Sequence, residues 1–391
     1  MKSIILIFVG HYLPGTKSGG ILRTVNNTIE NLAEDFEFII VTRNTDVKSL
    51  VPYPDIKPGL WVNVGKARVL YLDKNLSSYK NIVSILNNTE CHAIHLNSFF
   101  DSICIKVLFA IKFSTNIDVP VVLSPRGEFA WASFKIKLFK KLLYITSSKL
   151  LLLYEGIIWH VSNQHEKKDL VRIMNISDSK IKIAEDLPIK PLGNQMICFL
   201  NEVDKPLKVL FLSRISPEKN LTYALKILGK SKLKIIFDIY GFIADQDYWQ
   251  ECRLLITEVQ AKNSLLSISY LGEVQPEDVI TIFSKYDLFF FPSGGENYGH
   301  VIAESLISGT PVLISNKTPW NALEGSKIGW DFSLKEERQF IDVLGKLSTQ
   351  TIEDKISMRL HIIDYMNNFL GSSVTLKENK KLYNSTISEL Q

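Results

Sequence analysis

The sequence predicts an α/β protein built from two successive, doubly wound parallel sheets. Three observations carry that expectation. Short apolar runs alternate with longer helical patterns along the chain. The alternation restarts once, after a stretch bearing prolines and a glycine. A chain of 391 residues is long for one domain and comfortable for two. Strands covered on both faces read as continuous apolar runs rather than alternating ones, and parallel sheets are covered in that way.

In the front half the expected strands are Ser3–Val9, Glu37–Thr42, His92–Leu96, Val119–Leu123 and Ile157–Val161. Helical patterns lie between them, as at Ile21–Ala33 and Ser102–Phe113. The opening MKSIILIFVG reads as the first buried strand rather than a leader peptide. Its apolar run is short, and glycine-rich polar sequence follows instead of a small-residue cleavage site. Asp186–Lys205, with Pro188, Pro191 and Gly193, reads as a linker. The second series is Lys208–Leu212, Lys234–Tyr240, Ser267–Leu271, Leu288–Phe291 and Val312–Ile314. The expected domains are therefore residues 1–200 and 201–375. Open parallel sheets bind ligands beyond the carboxyl ends of their strands, and both sheets would present such ends to a central cleft.

Composition bounds the function. Apolar content of 46% with 22% charge is ordinary for a globular protein. The four cysteines, Cys91, Cys104, Cys198 and Cys252, show no metal-ligand spacing and suggest free thiols in a reducing compartment. No apolar run reaches the length of a membrane span, so a cytoplasmic protein is expected. Residues 1–200 carry 24 Lys and Arg against 17 Asp and Glu, and residues 201–391 carry 21 against 24. A basic front half fits an anionic partner such as a membrane surface, or it is an uneven surface with no partner. Nothing points to nucleic acid.

The most informative segment is Asp287–Ser315, DLFFFPSGGENYGHVIAESLISGTPVLIS. It reads as a strand, a glycine-bearing loop, a helix over about Gly299–Ser308, and a second strand. Glu296 and Glu304 bracket the loop and helix start with seven residues between them. Amides at a helix start attract phosphate oxygens, because they lack intrahelical partners and the dipole adds positive charge. Gly294, Gly295 and Gly299 let backbone approach a ligand. Carboxylates accept hydrogen bonds from sugar hydroxyls. The combination describes a nucleotide-sugar site; two solvated glutamates beside a surface helix are the plainer reading.

This segment resembles the E-x7-E region of retaining glycosyltransferases with the GT-B fold, especially glycosyltransferase family 4. The GT-B fold is two Rossmann-like domains facing a cleft, and its last helix returns to the first domain, which here would be residues 376–391. The resemblance implies that Glu296 faces the transferred sugar and Glu304 the donor ribose, with Asn297, Tyr298, Gly299 and His300 lining the donor. FLSRISPEKN, Phe211–Asn220, resembles the family's strand-end motif, which puts Arg214 and Lys219 on the donor diphosphate. Fixed cations there stabilise charge on the leaving group; an ordinary helix start fits the same residues. GTKSGGILR resembles the family's glycine-rich loop, with Gly19 and Gly20 facing the phosphates. YLGEV, Tyr270–Val274, which holds Leu271, ends a strand and resembles the segment that lies against the nucleobase, and Tyr240-Gly241 is another strand end expected to face the cleft.

SPRGEF, Ser124–Phe129, departs from the family. Many relatives have a histidine where Arg126 stands. A guanidinium cannot be a general base, though it could bind a phosphate or an anionic acceptor. Arg126 joins Glu296, Arg214 and Lys219 as a candidate catalytic residue. His95, Arg126 and Glu128 are acceptor-side candidates, and a strand-end histidine that merely packs fits His95 equally. Asp245 and Asp247 have D-x-D spacing but sit where a helix start favours aspartate. No metal is expected, because cations clamp the phosphates. Phe134–Leu153 mixes lysines with large apolar residues. It reads either as an amphipathic helix on a membrane surface or as a core helix with snorkelling lysines.

The resemblance implies a retaining transferase moving a sugar from a UDP- or GDP-sugar, as co-substrate, to a saccharide or polyprenyl-linked acceptor. It also implies a setting in surface polysaccharide assembly, with peripheral contact to the inner membrane's cytoplasmic face. A nucleotide-sugar hydrolase or epimerase, or a non-catalytic binding protein, are the alternatives. A retaining glycosidase places its carboxyls about 5 Å apart. A helix over Gly299–Ser308 puts Glu296 and Glu304 on the order of ten ångströms apart at about 1.5 Å per residue.

Overall fold

The computed structural model describes residues 2–115, 117–189, 205–371 and 373–388. The chain divides into two compact units, Met1–Lys190 with Ser373–Gln391, and Pro191–Ser372. Most of the expected linker, the boundary at 200 and 201, and Cys198 lie outside the described residues. Cys91, Cys104 and Cys252 are free thiols.

The first unit contains one sheet of eight strands: β1 (Ser3–Val9), β2 (Phe36–Arg43), β3 (Trp61–Val64), β4 (Ala67–Leu72), β5 (Ala93–Asn97), β6 (Val121–Ser124), β7 (Ile157–Val161) and β8 (Ile181–Ile183). Their order is β3-β4-β2-β1-β5-β6-β7-β8, and only the β3–β4 pair is antiparallel. Alternate side chains of β1 serve two cores. Leu6 and Phe8 pack with the helix Ser102–Phe113, through Ile103 and Val107. Ile5, Ile7 and Val9 pack with the helix Gly20–Leu32, through Val25 and Ile29. Burial on both faces is why a central strand such as β1 is almost wholly apolar.

The second unit contains β9 (Leu207–Leu212), β10 (Ile235–Tyr240), β11 (Leu266–Gly272), β12 (Leu288–Phe291), β13 (Val312–Ser315) and β14 (Gly329–Phe332). All pairings are parallel, in the order β11-β10-β9-β12-β13-β14. The chain builds outward one way from β9 and then the other way from β12. The strand order therefore reverses between β9 and β12, where such sheets bind ligands.

The sheet edges differ from expectation. The hairpin β3–β4, the three-residue β8 and the short β14 were not anticipated. Phe134–Leu153 is not one helix. It breaks over residues 135–137, where Lys137 has φ 57°, and resumes as Leu138–Leu150. That helix buries only Ile145 and Ser148. Ile136, Phe139, Leu143 and Leu150 are 60%, 80%, 63% and 79% exposed, which excludes the core-helix reading. No helix among the described residues is long and apolar enough to cross a membrane.

The last helix, Ser373–Ser388, packs on the first unit's sheet. Tyr383 is buried against Phe36 and Phe38. Lys380 pairs with Asp35 at 2.8 Å, and Asn379 donates to the Glu185 carbonyl at 2.8 Å. The Tyr383 hydroxyl meets His95 Nδ1 at 2.9 Å. Replacing Tyr383 with Phe strands that buried nitrogen. An unmade buried hydrogen bond costs about 1–3 kcal/mol. Tyr383→Phe should therefore lower the thermal midpoint of the first unit measurably, and an unchanged midpoint would show that packing alone holds the last helix.

Candidate active site

The loops after β9 and β12 are stitched together at the reversal point. Lys219 Nζ lies 2.6 Å from Glu296 Oε1, with both side chains 11% exposed. Gly294 N donates to the Glu218 carbonyl at 2.7 Å, and Asn220 Nδ2 to the Pro292 carbonyl at 3.0 Å. Ser293 Oγ lies 2.7 Å from the same Glu296 oxygen. Local sequence explains the geometry. Pro217 opens a short 3-10 turn, Pro217–Lys219, and Asn220 ends it in the left-handed region at φ 59°, which asparagine tolerates well. The turn directs Lys219 inward, beneath the ring of Phe291 at 5.7 Å.

The other donor-side candidates lie on both units, all but Gly19 and Gly20 in the second. Arg214 is 43% exposed in its side chain and touches Glu218 at 3.3 Å, a weak solvated contact. Gly299, at φ 83°, turns the chain into the helix His300–Ile307 and offers no side chain to cap it. His300 and Glu304, 7% and 8% exposed, lie on that helix. The His300 ring packs on Tyr298 at 4.7 Å, and Trp320 Nε1 donates to the Tyr298 carbonyl at 2.8 Å. Asn297 is half-buried beside them. Gly241, after β10, is indispensable sterically. A Cβ there would stand 1.8 Å from the Ser213 carbonyl oxygen. Tyr270 donates to the Gly241 carbonyl at 2.9 Å, and Leu271 is 48% exposed beside it. Gly19 and Gly20 stand at the start of Gly20–Leu32 in the first unit, after a loop whose Thr16 and Lys17 amides donate to Asp46.

The acceptor-side candidates are placed differently. His95, Arg126 and Glu128 are buried and engaged in the first unit. His160 Nε2 meets the Ala184 carbonyl at 2.9 Å, so that nitrogen must donate. Its Nδ1 then accepts from the Ser124 hydroxyl at 2.8 Å. Ser124 has spent its proton, so His95 Nε2 donates to it at 2.8 Å and His95 Nδ1 accepts from Tyr383. Arg126, itself at φ 55°, pairs with Asp186 at 2.7 Å and donates twice to Asn97 Oδ1. Asp186, expected in a linker, is instead a core residue 4% exposed. Burial pushes its carboxyl up, and the Arg126 guanidinium pulls against that. Glu128 accepts from the Ser98 hydroxyl and the Phe99 and Phe100 amides. Each of these three side chains is thus bound to partners within the first unit.

Asp245 caps the helix Gln246–Lys262 by accepting from Tyr248 N at 3.0 Å. Among the described residues no group of three His, Cys, Asp or Glu side chains converges. Sequence reading missed Ser293, although Ser293-x-x-Glu296 has the spacing at which a serine and a glutamate share hydrogen bonds in a capping box. It also missed Asp46 and the Arg126–Asp186 pair, both joined only by the fold.

Residues 197–323 match the family model described as glycosyl transferases group 1. An uncharacterized 41.2 kDa protein in the cps region of Klebsiella pneumoniae is 23% identical over 316 residues, 78% of this chain and 80% of that one. Sucrose-phosphate synthase from Thermosynechococcus elongatus has a similar structure, with a TM-score of 0.73 at 13% identity over 99% of this chain and 100% of that one. Anabaena HepE, solved with UDP-glucose, gives 0.68 at 15% identity over 99% and 100%. The fold is GT-B, and these findings support a glycosyltransferase.

The hydrogen-bond chain has a pH consequence. Burial, with the Arg126 charge nearby, holds His95 well below its ordinary value and His160 at about 3. Their neutral forms stabilise the fold above the unfolded value, about 6.5. Below it the unfolded chain takes up protons that the folded chain refuses, so that stability is lost as pH falls toward about 3. Glu128, raised to about 7 chiefly by burial, acts with the opposite sign. Its contribution is full below the unfolded value and lost as pH rises through about 7. Nitrogen-15 spectra should show both histidines as Nε2–H tautomers that do not titrate between pH 6 and 8; titration of either near its ordinary value, about 6.5, contradicts the chain.

Proposed function

We propose that the protein is a retaining glycosyltransferase of the family 4 type. It transfers a sugar from a UDP- or GDP-sugar to a saccharide or polyprenyl-linked acceptor. The observation that carries this reading is the Lys219–Glu296 pair at the strand-order reversal of the unit that contains the group 1 match. HepE, a neighbour solved with UDP-glucose, supports a nucleotide-sugar donor. The Klebsiella relative in a cps region supports a setting in polysaccharide assembly.

In this reading Arg214 and Lys219 hold the donor diphosphate, and the start of His300–Ile307 adds its amides. Glu304 takes ribose hydroxyls and Glu296 takes those of the transferred sugar. The bond between the anomeric carbon and the phosphate oxygen breaks, and the electron pair stays on that oxygen. The acceptor hydroxyl attacks the same face, and its proton passes to the leaving phosphate. The cations act by stabilising charge that grows as the bond breaks, so they need no metal partner. Removing one such stabiliser costs about 100- to 1,000-fold in turnover. Arg214→Ala and Lys219→Ala should each lower donor turnover within about that range, and wild-type turnover should survive EDTA. Unchanged turnover in both variants rejects the clamp, and loss in EDTA restored by manganese rejects metal independence. A donor panel assayed with and without acceptor separates transfer from hydrolysis.

The acceptor side fits a membrane surface. Trp131, Ile136, Phe139, Leu143 and Leu150 are exposed among Lys135, Lys137 and Lys140. Apolar side chains can enter the interface while each lysine near an anionic surface adds about 1 kcal/mol. The protein should sediment with phosphatidylglycerol-containing vesicles at low salt and come off at high salt. Replacing the three lysines with Gln should weaken that association. A wild type that ignores such vesicles at low salt has a soluble acceptor.

A further inference from the structure

We propose that Ser293 is the positioning residue for Glu296, holding its carboxylate in place when Lys219 turns to an anionic ligand. The inference rests on the donor-site reading above and adds a role for a residue that reading does not use.

Glu296 Oε1 receives two groups, Lys219 Nζ at 2.6 Å and Ser293 Oγ at 2.7 Å. The serine has one proton and three acceptors in reach. The carbonyls of Gly295 and Glu218 lie farther, at 3.1 and 3.2 Å, and carry no formal charge. The carboxylate is nearest and ionic, so it takes the proton. Gly295 N approaches the same hydroxyl oxygen at 3.3 Å, which leaves the serine acting as acceptor on one side and donor on the other.

The two partners of Glu296 differ in what they can do next. Lys219 is a long cation, and a diphosphate presents more negative charge than one carboxylate, so an arriving donor competes for it. Ser293 cannot follow. It is fully buried, its own carbonyl is bound by the Ser315 hydroxyl of β13, and the next residue is bonded to Glu218. It therefore stays as the fixed donor while the lysine changes partner, and Glu296 meets the sugar from one position. Ser293 touches no ligand in this account, so its removal should disturb turnover and spare nucleotide affinity.

A hydrogen bond to a charged group is worth roughly a 10- to 100-fold change. Steady-state kinetics on the preferred nucleotide sugar, with titration of UDP and GDP, test the assignment on the full chain. Ser293→Ala should lower kcat about 10- to 100-fold while donor KM and nucleoside diphosphate affinity stay as in the wild type, and the lost buried hydrogen bond should lower Tm only modestly. Ser293→Thr, which keeps the hydroxyl, should recover much of the loss. Wild-type kcat in Ser293→Ala overturns the positioning role and leaves the transferase reading standing. Loss of nucleotide affinity in step with kcat overturns it in favour of a merely structural serine. A wild type that turns over no nucleotide sugar overturns both.

Discussion

The ion pair between Lys219 and Glu296 is the contact that ties the second unit's two central loops together and on which the proposed donor chemistry depends. It joins the loop after β9 to the loop after β12, so it spans the one place where the sheet changes direction. Neither charge is comfortable alone at such low exposure, because desolvation penalises an isolated ion heavily. Together they neutralise each other and fix both loops. In the proposed reading the cation is thereby kept at the donor site, paired with a carboxylate until a diphosphate competes for it. Such storage lowers the reorganisation needed when charge develops on a leaving group.

Around this pair the backbone does as much as the side chains. Gly294 and Gly241 bring loops into close approach through main-chain contacts, and the Asn220 side-chain amide binds the Pro292 carbonyl. The first unit uses a contrasting device. Its polar residues are enclosed in a network running from Tyr383 through His95, Ser124 and His160 to Ala184, beside the Arg126–Asp186 pair. Every link has a donor and an acceptor, which is the condition under which buried polar groups are tolerated.

What the sequence revealed follows from what burial imposes on it. Buried strands such as β1, β7 and β12 are apolar at nearly every position, Ser3 and His160 being the exceptions, and their ends were legible to the residue. The edge hairpin β3–β4 was not, because its first strand faces solvent and carries Asn63 among half-exposed valines. The spacing of Glu296 and Glu304 was legible because one short loop and the helix start that follows it carry both. His95, Arg126 and Glu128 read as site residues because strand-end polar groups often are. Their partners, Tyr383, Asp186 and Ser98, lie 288, 60 and 30 residues away, and only the fold reveals them. Exposure of Phe139 and Leu143 was equally hidden, since a lysine-rich apolar helix has the same composition on a surface as in a core.

The return of Ser373–Ser388 to the first unit gives the chain an order of assembly. Residues 1–190 leave the ribosome first, yet the acceptor nitrogen of His95 waits for a tyrosine 288 positions later. The second unit is contiguous and can close as soon as it emerges, because domains tend to fold as they are synthesised. The unit entered first along these residues is thus finished after the second. A chain interrupted anywhere before residue 373 leaves a first unit with a polar gap in its core, a species that cellular quality control is equipped to recognise.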